Sequence, residues 1–140
     1  MKPTNGFQSS QKHFWFGAAT SAPQTEGAAD VDGKSPSTWD MWHKLEPNQF
    51  DQEIGPNQTS DVYHHYREDV KRMQAMKLNS FRTSIAWTRL LPDGETLNQK
   101  AVTFYRDYFS AMLEAGIEPV INLFHFDMPL VAHGKRWLGV

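Results

Sequence analysis

The apolar positions of the chain include three short clusters, each about the length of a β-strand. They occupy residues 14–19, 81–87 and 119–124. The first and third clusters are almost continuously apolar, which is typical of strands buried on both faces. The second cluster alternates in a period of two, with Phe81 on one face and Arg82 on the other. The pattern predicts three strands.

Two longer stretches carry apolar side chains at steps of three and four and predict amphipathic helices. The first covers residues 61–77, and Ser60 before it is expected to be the N-cap. The second begins after Asn98, another expected N-cap, and ends at Gly116, in the position that glycine favours after a helix.

Strands that alternate with helices favour βαβ units and a parallel sheet, and therefore an α/β fold. Residues 21–59 are rich in Gly, Pro, Asn, Asp and Ser and predict a long irregular loop, although Trp39 and Trp42 argue against disorder. Trp15 and Trp87 fall within predicted strands, which favours a place in the core.

Length and composition narrow the class of protein. The 140 residues fit one domain, 1–140, and are too few for a closed eight-stranded α/β barrel, which needs about 250. A net charge of −2 without a basic cluster excludes nucleic acid as an expected partner, and no apolar run suits a membrane. The polar N-terminus and the lack of cysteine favour the cytoplasm.

In a parallel α/β fold the chemistry lies beyond the carboxyl ends of the strands. Gln24 follows the first strand, and its amide could bind vicinal sugar hydroxyls or only its own loop. Arg82 needs an anion, either a catalytic carboxylate or a structural partner. His125 follows the third strand and could bind a hydroxyl, with Asp127 orienting it, or be a structural histidine.

Metal and cofactor chemistry find little support in the sequence. His64 and His65 are adjacent and point to different parts of a helix, so they cannot chelate together. Asp61 and His65 have helical spacing, but two ligands are too few for zinc. We expect neither a metal nor an organic cofactor.

Four long motifs, taken together, resemble one family. Residues 14–27 (FWFGAATSAPQTEG) resemble the N-terminal signature of glycoside hydrolase family 1, and residues 60–70 (SDVYHHYREDV) its first helix. Residues 79–89 (NSFRTSIAWTR) are similar to its second strand, and residues 116–129 to its third strand and the loop that follows. The motifs occur in the family's order and cover nearly the whole chain to Leu130.

This resemblance implies an α/β fold that is the N-terminal third of a (β/α)₈ TIM barrel, with about three strands and two helices present. It implies hydrolysis of β-glycosides with retention of configuration. It also implies that Gln24 and His125 contact the sugar in the −1 position, and that Arg82 supports the nucleophile carboxylate.

Two positions bear on the substrate. Pro23 and Phe126 resemble the 6-phospho-β-glucosidases of the family, whereas plain β-glucosidases usually have Tyr and Trp there. The resemblance therefore favours 6-phospho-β-glucosides. A plain β-glucosidase fragment is one alternative, and a non-catalytic sugar-binding or interaction remnant is another.

The chain departs from the family pattern after Leu130, and it contains neither the Asn-Glu-Pro segment nor the later nucleophile segment. With both catalytic glutamates lacking, we expect the 140 residues alone to be inactive. Three strands cannot close a barrel, and open sheet edges invite association. The isolated chain is therefore expected to self-associate.

Overall fold

The computed structural model describes residues 14–133. In chain order the elements are β1 (Gly17–Ala19), α1 (Ala22–Thr25), α2 (Thr38–Leu45), two 3₁₀ turns (Pro47–Gln49 and Asp51–Glu53), α3 (Val62–Ala75), β2 (Ser80–Ser84), α4 (Trp87–Leu90), α5 (Gln99–Glu114), β3 (Glu118–Asn122) and α6 (Leu130–His133).

The three strands form one parallel sheet in the order β1-β2-β3, which confirms the predicted α/β architecture. Ser80 of β2 pairs with Gly17 on one side and Glu118 on the other. Each strand is shorter than predicted. β2 ends at Ser84 rather than residue 87, because the chain turns there into the short helix α4.

Gly17 is required by the close approach of β1 to β2. A Cβ atom at this position would overlap the backbone carbonyl oxygen of Ser80. Any larger residue would therefore push the first strand away from the second, and the sheet edge would lose its pairing.

The hydrophobic core lies between the sheet and the two long helices. Phe81 projects from β2 into this core, while Arg82 projects from the opposite face, as the period of two predicts. Aromatic rings dominate the packing, and Phe104 and Tyr108 stack with centroids 5.9 Å apart. The buried members are Val62, Tyr66, Val70, Phe81, Ala101, Phe104, Tyr105, Tyr108, Met112 and Ile117.

Helix α5 begins and ends where the sequence predicts. The side chain of Asn98 accepts a hydrogen bond from the backbone N–H of Lys100 at 3.1 Å, so it is the N-cap. Gly116 follows the helix with a φ of +75°, which only glycine adopts without strain.

The predicted N-cap of the first long helix is wrong. Asp61, not Ser60, occupies the N-cap, with a φ of +56° and no capping hydrogen bond from its side chain. The backbone carbonyl of Glu26 accepts from the N–H of Tyr63 at 3.0 Å instead. A distant backbone group thus satisfies one of the helix's free donors, and the hydroxyl of Ser60 turns to the carbonyl of Thr25.

The segment 21–59 is more regular than its composition predicts. It contains α1, α2 and the two 3₁₀ turns. Ser37 and Asp40 form a capping box that starts α2, because each side chain accepts from the other residue's backbone N–H. Trp39, Trp42 and Phe50 pack against one another, and the rings of Trp42 and Phe50 lie 4.8 Å apart.

The prediction of a core position fails for Trp15, which is 61% exposed and precedes the edge strand β1. Trp87 is not in a strand but begins α4. It is half-buried, and its indole N–H donates to the backbone carbonyl of Leu123.

Candidate functional site

The carboxyl ends of the three strands meet around Arg82. Its Nη1 donates to the carbonyl of Thr20, just beyond β1, at 2.8 Å. The backbone N–H of Thr20 in turn donates to the carbonyl of Arg82 at 2.8 Å. These two contacts fix the guanidinium above the end of the sheet, where ligands bind in parallel α/β folds.

Arg82 also holds His125, which follows β3. The Nη2 of Arg82 lies 3.2 Å from Nδ1 of His125. Because guanidinium only donates, Nδ1 acts as the acceptor and the imidazole proton resides on Nε2. The histidine is thereby set as a hydrogen-bond donor toward a ligand.

No carboxylate among the described residues pairs with Arg82. The structural ion pair that the sequence left open is therefore not formed within residues 14–133. Both polar partners of the guanidinium are neutral, and its charge remains available to an anion.

Gln24 lies in α1 and is exposed. The hydroxyl of Ser21 donates to its Oε1 at 2.6 Å, which orients the amide. Neither N–H of that amide donates to another described residue, so both donors are available to a ligand. The hydroxyl of Ser84, at the end of β2, accepts from the N–H of Ala22 at 2.7 Å and ties α1 to the sheet.

The structure brings Arg82 and His125 into direct contact and places Gln24 on the helix that follows β1. Their roles toward a substrate remain predictions. The expectation that Asp127 orients His125 is wrong, because the carboxyl oxygens of Asp127 bond to no described residue. Arg82 performs that orientation instead.

The sequence analysis missed a buried ion pair beneath the site. Arg89 is fully buried, and its Nε donates to Oε2 of Glu26 at 2.8 Å. Its Nη2 donates to the carbonyls of Gly27 and Ala28, and its guanidinium lies 4.0 Å from the ring centre of Tyr63. The only sequence signal was the position of these two charges beyond β1 and β2.

Tyr105 completes this buried network. Its hydroxyl donates to Oε1 of Glu26 at 2.6 Å and accepts from the backbone N–H of Ala86 at 2.8 Å. Burial, and then the negative charge of Glu26, raise the pKa of Tyr105 well above its usual value. The phenol therefore stays protonated and acts as a fixed donor.

The loop that carries His125 is fastened to the start of α2. The N–H of Thr38 donates to the carbonyl of Met128 at 2.9 Å, and the N–H of Leu130 donates to that of Pro36 at 3.1 Å. Asp127 is 2% exposed, and burial raises the pKa of its carboxyl to about 7. The backbone amides of Asp127 and His125 oppose this shift without forming good hydrogen bonds.

Residues 14–133 include no group of three His, Cys, Asp or Glu side chains arranged to hold a metal ion. His64 instead bonds to Asp61 at 2.8 Å on the surface of α3. Within the same residues, no helix has the length and apolar character needed to cross a membrane.

Alternating parallel strands and helices, with polar side chains gathered beyond the carboxyl ends of the strands, define part of a (β/α) domain. The chain belongs to glycosyl hydrolase family 1, whose family model matches residues 7–136. The resemblance found in the sequence motifs is thereby confirmed.

The chain is similar both to a protein named as a 6-phospho-beta-glucosidase and to proteins named as beta-glucosidases. The 6-phospho-beta-glucosidase GmuD of Bacillus subtilis is 48% identical over 120 residues, covering 85% of this chain and 26% of that protein. Beta-glucosidase 9 of Arabidopsis thaliana is 49% identical over 119 residues, covering 84% of this chain and 22% of that protein. The chain thus spans about a quarter of the length of these relatives.

Solved structures agree with the sheet and helices described above. Aphid myrosinase has a TM-score of 0.84 at 29% identity, covering 89% of this chain and 27% of that one. The psychrophilic beta-glucosidase BglU from Micrococcus antarcticus has a TM-score of 0.82 at 37% identity, covering 87% and 26%. The fold is therefore the N-terminal part of a (β/α)₈ barrel, with three strands and an unclosed sheet.

Proposed function

We propose that this chain is the substrate-positioning part of a retaining β-glycosidase that hydrolyses 6-phospho-β-glucosides. The contact between Arg82 and His125 carries this proposal. It places a cation that pairs with no described carboxylate and an oriented imidazole donor at the carboxyl end of the sheet.

Each residue has a distinct task in the proposed mechanism. Nε2–H of His125 and the amide donors of Gln24 bind hydroxyls of the sugar and hold it in register. Arg82 lies beside the nucleophile carboxylate and keeps it ionised, because a nearby positive charge favours the charged form.

Retention requires two carboxyl groups, one to attack the anomeric carbon and one to protonate the leaving oxygen. In our proposal both come from segments beyond the present sequence. The 140 residues alone then neither hydrolyse nor bind the sugar until the other barrel segments are supplied. Assignment of residues 1–140 to a single partial domain stays a prediction.

The phosphorylated substrate is supported by Pro23 and Phe126 and by the name of the Bacillus subtilis relative. Identity does not separate the two subgroups, because the Arabidopsis relative is equally similar. A plain β-glucoside is therefore the second candidate. A phosphorylated sugar places the enzyme in the cytoplasm, where such charged substrates are retained.

A chimera tests the proposed roles. Residues 14–131 would replace the matching segment of the Bacillus subtilis relative, and hydrolysis of chromogenic β-glucoside 6-phosphate and plain β-glucoside would be measured. We expect Gln24→Ala and His125→Ala each to lower kcat/KM by about 10- to 100-fold, as the loss of a transition-state hydrogen bond predicts. The double change Pro23→Tyr with Phe126→Trp should shift the kcat/KM ratio toward the plain substrate.

His64→Ala is the matched control, since this histidine is exposed on α3 and bonds only to Asp61 among the described residues. It should leave kcat/KM unchanged. A folded chimera that hydrolyses neither substrate, or one that tolerates both alanine changes, would contradict the positioning role. Saturable sugar binding by the 140 residues alone, abolished by the same changes, would favour the non-catalytic alternative.

A further inference from the structure

A small cavity lies between five segments next to the site. It is lined by α1 and the residues just after it, by the segment that leads into α2 and its first turn, by Pro56, by the start of α4 and by the loop after β3. Its volume is about 20 Å³. On this measure one water molecule needs roughly 10–15 Å³. The cavity therefore has room for a single water.

Two polar side chains that line this cavity have no hydrogen-bond partner among the described residues. The hydroxyl oxygen of Thr88 and both carboxyl oxygens of Asp127 are unpaired, and the two residues are 0% and 2% exposed. Buried polar atoms left unpaired are costly, and native proteins commonly satisfy them with an internal water.

The other polar groups that line the cavity already have partners. Glu26 is bound by Arg89 and Tyr105. Asp40 accepts from Ser37, and Lys34 lies 3.3 Å from Asp40. The unmet hydrogen bonding at this cavity therefore belongs to Thr88 and Asp127.

We propose that one ordered water molecule occupies this cavity and bridges the hydroxyl of Thr88 to the carboxyl of Asp127. The water joins α4 to the loop that carries His125, two segments that come from different parts of the chain. It thus adds a second attachment for this loop beside the backbone bonds to the start of α2. This site is independent of the glycosidase proposal.

Urea unfolding of the 140-residue chain and its variants tests the bridge, with Leu123→Lys present in every protein to reduce self-association. Thr88→Val keeps the shape of the side chain but removes the hydroxyl, so we expect about a fivefold fall in the folding equilibrium constant. The matched control is Tyr108→Phe, which removes another buried hydroxyl without a described partner, away from the cavity. It should not lower the constant, because no hydrogen bond to a described residue is lost. In a protein that carries Asp127→Leu, the water has no carboxyl to bridge to, so Thr88→Val should leave the folding equilibrium constant unchanged.

A second measurement does not depend on the variants. In NMR spectra of the unaltered chain, a long-lived water should give a cross-peak to the methyl group of Thr88. Absence of that cross-peak, or a Thr88→Val effect equal to that of Tyr108→Phe, overturns the proposal. The proposal is also overturned if the effect of Thr88→Val on the folding constant appears in sodium salts but not in choline salts. The occupant of the cavity would then be a cation.

Discussion

Nε of Arg89 lies 2.8 Å from Oε2 of Glu26, and solvent reaches almost none of either side chain. This ion pair connects α4 to the residue after α1. The two segments that flank the carboxyl end of the sheet are thus joined by a buried charge pair rather than by apolar packing alone.

We expect Arg89→Met to destabilise the fold by about 3–5 kcal/mol, because it leaves Glu26 buried without its cation. The double variant with Glu26→Leu should recover much of that loss, since no buried charge remains. Urea unfolding measures both. Arg72→Met is the control, as the Arg72–Asp69 pair on α3 is at the surface and should matter little. Equal effects of Arg89→Met and Arg72→Met would contradict the argument.

Tyr105→Phe is expected to lower the free energy of unfolding by about 2 kcal/mol. The variant removes a hydroxyl that bonds both Glu26 and the backbone N–H of Ala86, and it leaves both groups buried. Thermal or urea unfolding would show the change. A loss no larger than that of Tyr108→Phe would mean that the two bonds contribute nothing net.

Asp127 should make stability depend on pH between about 4 and 7. Burial raises the pKa of its carboxyl from 3.8 to about 7, so the folded state binds the proton more tightly than the unfolded state. The stabilisation that proton binding by Asp127 gives to the folded state is complete below pH 4 and is lost as the pH rises to 7. Measured relative to Asp127→Asn, the free energy of unfolding of the unaltered chain should fall by at most about 1.4 kcal/mol per pH unit.

The comparison isolates Asp127 because Glu26, Lys34 and Asp40, which line the same cavity, are present in both proteins. Hydrogen bonds lower the pKa values of Asp32 and Asp93, so these groups titrate below the window. Parallel stability curves for the two proteins from pH 4.5 to 7.5 would show that the carboxyl is not perturbed.

Arg82→Met in the chimera should move the acidic limb of the kcat/KM profile to higher pH. Loss of the guanidinium raises the pKa of the nucleophile carboxylate that it is proposed to support. His125→Asn is the comparison, since it removes the imidazole but keeps the cation. It should lower kcat/KM without moving that limb, and an equal shift in both variants would contradict the role of Arg82.

The isolated chain is expected to self-associate. Phe14, Leu123 and Phe126 are 80%, 69% and 67% exposed, and they lie beyond the ends of the two edge strands. Sedimentation velocity should show oligomers that Leu123→Lys reduces. Leu97→Lys alters an exposed leucine that precedes α5, outside the strands, and should not reduce them. A monomer with a sharp cooperative melt would contradict this prediction.

Periodicity was sufficient to predict the sheet, both long helices and the opposite orientations of Phe81 and Arg82, because these depend on local spacing. Helix α2 was missed because Gly, Pro and Asn dominate its surroundings, although the capping-box pair Ser37 and Asp40 was a usable signal. The Glu26–Arg89 pair is set by tertiary folding across 63 residues, and no local pattern reveals it.

Local sequence patterns also predicted only part of the candidate site. Strand ends indicated Gln24 and His125, because parallel strands bring their carboxyl ends to one edge. Arg82 was indicated because a guanidinium within a strand needs an anion. The partner of the His125 ring could not be predicted, since Asp127 is closer in sequence but Arg82 makes the contact. Backbone geometry after β3, including a φ of +66° at Phe126, turns Asp127 into the cavity.

The bond between the hydroxyl of Thr38 and the carbonyl of Phe126 spans 88 residues of chain. Contacts between residues so far apart in sequence form slowly, because closing a long loop costs conformational entropy before any hydrogen bond can offset it. We therefore expect the histidine loop to acquire its final shape after the sheet has formed. On a ribosome, we expect Gln24, Arg82 and His125 of a nascent chain to reach their final arrangement only once synthesis has passed residue 130.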